Sequence, residues 1–265
     1  MIFYFSATGN SRYVAQQISK ATGEEAYDLL KIMGRSRKNA EKAGEEAQTI
    51  CVNGLSADER IGIVSPTYYF GLPPIVTRFI QQIKVQQPPY LYFVATCGAM
   101  SGWTSGYARL ALKKNGLRLD ATYSVKMPDS WTPMADLSDE RKVSAINNAA
   151  EDKIANICQQ ITAKEKGNHT HGSVPHFLAH LSQKWGYESS RQTKHLHVDT
   201  NKCNGCGRCY NLCPTQSINM DKGYPEWVSG QCLMCLGCLH RCPKFAIQYD
   251  NKTQKHGQYQ HPEAK

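Results

Sequence analysis

Two cysteine runs of one spacing, Cys203-x2-Cys206-x2-Cys209-x3-Cys213-Pro214 and Cys232-x2-Cys235-x2-Cys238-x3-Cys242-Pro243, constrain this chain more than any other pattern in it. A backbone wrapped round one corner of an iron–sulfur cubane presents a sulfur every three residues, and paired runs of this kind exchange their fourth thiolates. On that rule Cys203, Cys206, Cys209 and Cys242 hold one [4Fe-4S] cluster, and Cys232, Cys235, Cys238 and Cys213 a second. Gly205, Gly207 and Gly237 recur between the ligands, where N–H groups must turn toward sulfide, and Pro214 and Pro243 stop the chain continuing as helix. Paired C-x2-C motifs also make zinc ribbons, but zinc leaves the third and fourth cysteine of each run unused. Disulfides fit less well, because no signal peptide is expected ahead of Met1-Ile2-Phe3-Tyr4-Phe5.

At 265 residues the chain suits two domains, or one domain and a small module that its clusters can staple. No apolar run approaches a bilayer span, so a soluble, cytoplasmic protein with no membrane span is expected, and oxygen-labile cubanes point to an anaerobic or microaerobic cell. The formal charge of +9 invites a nucleic-acid reading. Two oxidised cubanes and a phosphate monoester would together bring about −6, leaving roughly +3. No nucleic-acid-binding signature accompanies the charge, so no nucleic-acid partner is expected; a positive face can still steer an acidic redox partner.

Residues 1–163 alternate short apolar runs with amphipathic ones, the pattern of an α/β parallel sheet covered by helices. Strands are predicted at 1–5, 25–30, 60–65, 90–96 and 119–126, and helices at 10–21, 73–83, 103–115 and 139–161, the last capped by Ser138 or Asp139. Residues 33–58 read as a mobile loop or exposed helix, 164–194 as a linker with one docking helix, and 195–250 as the cluster module. Within that module His195 to Val198 pairs with Ala246 to Tyr249. The polar tail 251–265 reads as disordered.

Strand one runs through Ser6-Ala7-Thr8-Gly9-Asn10-Ser11 straight into a helix. A phosphate there would meet three hydroxyls, free N–H groups and the positive end of the helix dipole, with Gly9 allowing close approach. Neither a P-loop lysine nor a G-x-G-x-x-G fingerprint is present.

This loop resembles the flavodoxin family's Ser/Thr-x-Thr-Gly-x-Ser/Thr, which binds the phosphate of FMN. The whole chain resembles fusions of a flavodoxin-like domain, 1–163, with a two-cluster bacterial-type ferredoxin. The resemblance implies a doubly wound five-stranded sheet of order 2-1-3-4-5, a small α+β ferredoxin domain, and a flavin beyond the carboxyl ends of the strands. It implies contacts from Pro66, Thr67, Tyr68, Tyr69, Phe70 and Gly71 after strand three, with Tyr68 against the ring or ribityl and the peptide near Gly71 turned to the flavin N5. Thr96, Cys97, Gly98 and Ala99 after strand four would face N1 and O2, Trp103 would stack at the edge, and Met127-Pro128-Asp129-Ser130-Trp131 would complete the rim.

Other candidates read more plainly. Cys97 fits a small apolar filler, Cys51 and Cys158 lie outside every motif, His176 and His180 stand at i, i+4 without a third ligand, and His169 and His171 are polar linker. His240 and Arg241 are surface residues or a cation favouring a reduced cluster. Arg35, Arg37 and Lys38 are a solvated charge run. No catalytic triad or paired carboxylates stand out, so the chemistry is flavin-centred. Besides partner binding with the clusters as structural staples, two functions follow: electron transfer between the clusters and FMN, serving redox partner proteins, or FMN-dependent reduction of a small acceptor such as a quinone or unsaturated substrate. In either, cluster module and flavin loops face each other within one chain or across a homodimer.

Overall fold

The computed structural model describes residues 1–33, 50–52, 59–85 and 90–264. Most of the 33–58 segment, with Arg35, Arg37 and Lys38, lies outside the described residues, as does the Cys51 side chain.

Short apolar strands build a parallel sheet: β1 (Ile2–Tyr4), β2 (Ala26–Asp28), β4 (Arg60–Pro66), β6 (Tyr90–Cys97), β7 (Ala121–Lys126) and β8 (Gly167–His169), ordered β2-β1-β4-β6-β7-β8. β3 (Ile50–Val52) and β5 (Ile83–Val85) form a separate parallel pair. The first five strands of the sheet follow the expected 2-1-3-4-5 order, but the count is six. β8 comes from the expected linker, pairing Thr122 with Asn168 in register. Its Gly-Asn-His sequence has no apolar periodicity; side chains hold it instead, Thr122 Oγ1 donating to Asn168 Oδ1 at 2.8 Å and His169 stacking on Tyr123 at 5.1 Å.

Alternation along the strands feeds two cores. Phe3, Phe5, Ile61, Ile63 and Phe93 pack beneath α2 (Pro74–Gln82) and α3 (Thr104–Lys114). Ile2, Tyr4, Val64, Tyr92 and Val94 pack beneath α1 (Asn10–Thr22) and α4 (Glu140–Thr162). Asp139 is the cap of α4, accepting from the N–H groups of Arg141 and Lys142 at 3.0 and 3.1 Å. No helix among the described residues is long and apolar enough to cross a membrane.

The cysteine-rich part contains β9 (Leu196–Val198) antiparallel to β12 (Ile247–Tyr249), and a second pair, β10 (Ile218–Asn219) with β11 (Glu226–Trp227). It is fused into the larger unit. Leu233 is 3% exposed within the core beneath α2 and α3, with Cys235 packed against that core. A helix at His176–Leu181 continues as a π-helix through Tyr187 and covers the loop after β4. Beyond Asn251, the expected disorder gives way to a docked segment in which Tyr259 and His261 are each 5% exposed. Two aromatic rings among polar neighbours supply the burial that composition concealed.

Candidate functional site

The two cysteine runs repeat with an offset of 29 residues, and the backbone repeats with them. Gly205 and Gly207 have φ of 67° and 69°; their equivalents Met234 and Leu236 have 49° and 53°. Ser217 N donates to Cys213 Sγ at 3.4 Å, and at the equivalent place Ala246 N donates to Cys242 Sγ at 3.3 Å. Met234 N adds a bond to Cys232 Sγ at 3.2 Å. Cys203, Cys206, Cys209 and Cys242 line one cavity, and Cys213, Cys232, Cys235 and Cys238 line another.

All eight thiols are free of disulfides. Among the described residues, no three His, Cys, Asp or Glu side chains are grouped closely enough to hold a single metal ion. Burial pushes the Cys209 thiol up to about 11 and the Cys235 thiol to about 12, and raises Cys232 and Cys238 as well. Without a metal charge such thiols stay protonated; iron would hold them as thiolates. Inward N–H groups and four sulfurs about each cavity fit a cubane.

The two runs differ in exposure. Cys206 is exposed, whereas Met234 and Leu236 are 4% and 2% exposed. Side chains that L-residues seldom carry at positive φ are tolerated in the second run because they are packed.

A cavity of about 240 Å³ opens beyond the carboxyl ends of β1, β4 and β6. Ser6, Ala7, Thr8, Asn10, Ser11, Pro66, Thr67, Tyr68, Tyr69, Phe70, Thr96, Cys97, Gly98 and Ala99 line it, joined by Pro128 to Trp131. Gly9, at φ 103°, precedes α1, which has no side-chain cap, so its first N–H groups are left to a ligand. Gly9 N donates to Ser6 Oγ at 3.1 Å, and the hydroxyls of Ser11 and Thr96 lie 2.8 Å apart. This donor-rich, uncapped corner fits a phosphate monoester, and the aromatic wall beside it fits a flat ring.

Tyr68 and Gly71 exchange both backbone hydrogen bonds, at 2.8 and 2.9 Å, around Tyr69 and Phe70 at φ 48° and 65°. That is a type I′ turn built from aromatics instead of the usual Asn-Gly. Gln183 Nε2 ties it down by donating to the carbonyls of Tyr68 and Tyr69, and Trp103 N donates to Phe70 O at 2.9 Å. Gly71 and Trp103 do not line the cavity: Gly71 faces Gln183, and Trp103 packs on Tyr107 and His176. Cys97 lines it as a neutral thiol, held up at about 11 by burial and then by Asp129.

Two parts of the wall and one residue behind it are not legible in the sequence. Tyr187, from the expected linker, packs on Tyr68 and Tyr69 and donates to Leu233 O at 2.8 Å. Met234, Cys235 and Leu236 line both this cavity and that of the second cysteine run. His240 is buried and neutral, neither surface nor cation: burial pushes it down to about 4, its Nε2 donates to Ser130 O at 2.8 Å, and its Nδ1 accepts from Tyr259 N at 3.1 Å. Arg241 is the cation of the pair; burial lowers its pKa while Cys235 works in the opposite sense.

Two family profiles agree with this layout. The profile of the family described as "Flavodoxin domain" matches residues 1–155, and that of "4Fe-4S dicluster domain" residues 195–243. An uncharacterized ferredoxin of Methanocaldococcus jannaschii is 41% identical over 54 residues, 19% of this chain and 70% of its own length. An azoreductase from Bacillus anthracis str. Sterne is 9% identical with a TM-score of 0.35, over 60% of this chain and 98% of its own. The azoreductase AzrA is 10% identical, also at 0.35, over 60% and 99%.

Proposed function

Because the chain belongs to the flavodoxin domain family and carries a 4Fe-4S dicluster domain, we propose that it is an electron-transfer protein passing electrons between two [4Fe-4S] clusters and FMN. The carrying observation is the shared wall: Met234, Cys235 and Leu236 line both the cavity of the second cysteine run and the cavity at the strand ends.

When bound, clusters exchange one electron at a time and a flavin one or two, which makes the pair a converter between the two kinds of partner. The chain's own residues supply placement. Cys203, Cys206, Cys209 and Cys242 would hold one cluster, and Cys213, Cys232, Cys235 and Cys238 the other. Ser6, Thr8, Ser11 and the first N–H groups of α1 would hold the FMN phosphate. Tyr68, Tyr69, Phe70 and Trp131 would flank the ring, and N–H groups after β6 would face the flavin edge where negative charge gathers. Leu233, Met234 and Leu236 keep water from the wall. Cys206 on the exposed run is the side from which a redox partner protein would exchange electrons.

Anaerobic purification should yield FMN and about eight irons per chain, and a titration followed by visible and EPR spectra should show both centres reducing. An iron content near zero overturns the reading. A second reading, reduction of a quinone or unsaturated substrate by the flavin, is favoured by Met100 and Met134, which are 41% and 84% exposed at the cavity's rim. Turnover of such a molecule without any protein acceptor would select it.

A further inference from the structure

The segment after Thr253 makes more directed contacts to the cavity's first loop than its composition foretells. His261 N donates to Thr8 O at 2.8 Å. A trans peptide points its N–H opposite its C=O, so turning the Thr8 carbonyl toward the tail turns the Gly9 N–H the other way, onto Ser6 Oγ. Behind that peptide the fit is close: a Cβ on Gly9 would stand 2.9 Å from His261 Cβ. The His261 ring stacks on Tyr13, one turn into α1, at 4.0 Å.

Tyr259 acts on the next residue. Its hydroxyl donates to Asn10 Oδ1 at 2.7 Å and lies 3.0 Å from Asn147 Oδ1 on α4. Asn10 in turn donates from Nδ2 to Pro128 O at 3.0 Å, so one hydroxyl braces the first loop and the loop that closes the rim. The same segment grips the helix Gly237–His240: Gln258 Nε2 donates to the carbonyls of Leu239 and Cys242 at 2.6 and 2.8 Å, and Tyr259 N to His240 Nδ1.

We propose that residues 256–264 are a working part of the phosphate site: Tyr259 and His261 hold Thr8, Gly9 and Asn10 in the conformation that accepts the phosphate monoester of a flavin. The inference rests on the reading of that cavity as an FMN site. Tyr259 and His261 are positioning residues, since both stand behind the loop.

The test is a fluorescence titration of FMN and of riboflavin, which lacks the phosphate, into flavin-free full-length protein with its iron retained. Tyr259→Phe removes one hydroxyl and should weaken FMN about 5- to 10-fold, with riboflavin changing less than about 2-fold. His261→Ala should act in the same sense. Unchanged FMN affinity in both variants overturns the proposal. So do equal losses for FMN and riboflavin, which mark general loosening of the cavity. Wild-type protein that binds neither flavin removes the FMN reading itself, a result distinct from wild-type binding with indifferent variants.

Discussion

His240 donates from Nε2 to the carbonyl oxygen of Ser130 at 2.8 Å, and this bond joins the helix Gly237–His240 to the loop closing the cavity at the strand ends. Its other nitrogen accepts from Tyr259, so the imidazole is a neutral, fully used linker between three segments. Replacing it with leucine keeps the bulk and leaves a buried carbonyl and a buried N–H without partners. His240→Leu should lose about 2–4 kcal/mol, seen as a lower anaerobic melting temperature. An unchanged melting temperature would show that the bond is not stabilising.

Gly102 lies under the aromatic turn. It has φ 60°, and a Cβ there would meet Phe70 Cα at 2.5 Å. Gly102→Ala must strain its own backbone and push the Tyr69–Phe70 turn into the cavity, at a cost of about 2–4 kcal/mol. Flavin affinity should fall together with stability; a variant that melts lower yet binds flavin as the wild type does would show that the turn does not border the ring.

The proposed crossed ligation would have its own signature. Cys242→Ala and Cys206→Ala should each lose about four irons and leave the same residual EPR spectrum. Cys213→Ala and Cys235→Ala should share a different one. If Cys242→Ala instead matches Cys235→Ala, each run serves its own cluster and the exchange of fourth thiolates is wrong.

What sequence disclosed was local. The cysteine runs and the Ser6–Ser11 loop carry their chemistry in contiguous spacing, and β1, β4, β6 and β7 are apolar runs whose buried residues declare themselves. What it hid was held by distant partners. β8 stays in the sheet through Thr122 and Tyr123, which nothing in Gly-Asn-His foretells. The tail reads as solvent-loving because the partners of the Tyr259 hydroxyl and of His261 lie more than a hundred residues away, and those of the Gln258 side chain are backbone carbonyls. Trp103 stands at the expected place in the chain, but its ring turns to Tyr107 and His176. For Tyr187 nothing in the sequence sets it apart from Phe177 and Trp185, aromatics of the same expected linker that are exposed while Tyr187 is buried.

Leu236 separates the two cavities from a backbone conformation that favours glycine. Leu236→Gly relieves roughly 1 kcal/mol of backbone strain and gives up about 2–3 kcal/mol of burial, a small net loss. Its clearer effect is electrostatic. Water reaching the second run would stabilise the more negative, reduced cluster, so one of the two cluster midpoints should rise in an EPR-monitored titration while the other holds. Two midpoints moving together would mean that Leu236 does not shield one cluster selectively.

His261 makes the docking of the tail sensitive to acid. Burial pushes its pKa down from 6.5 to about 4, with Glu263 working weakly in the opposite direction. A lowered value means that the unfolded chain takes up the proton first, so the stabilisation is complete above about pH 6.5. It is lost progressively as the pH falls from there toward 4. Between pH 7 and pH 5 the wild-type melting temperature should therefore drop. His261→Phe keeps an aromatic face on Tyr13 but has nothing to protonate, so its curve should be flatter over the same interval. Parallel curves for the two proteins would assign the acid sensitivity to another group and leave His261 as packing alone.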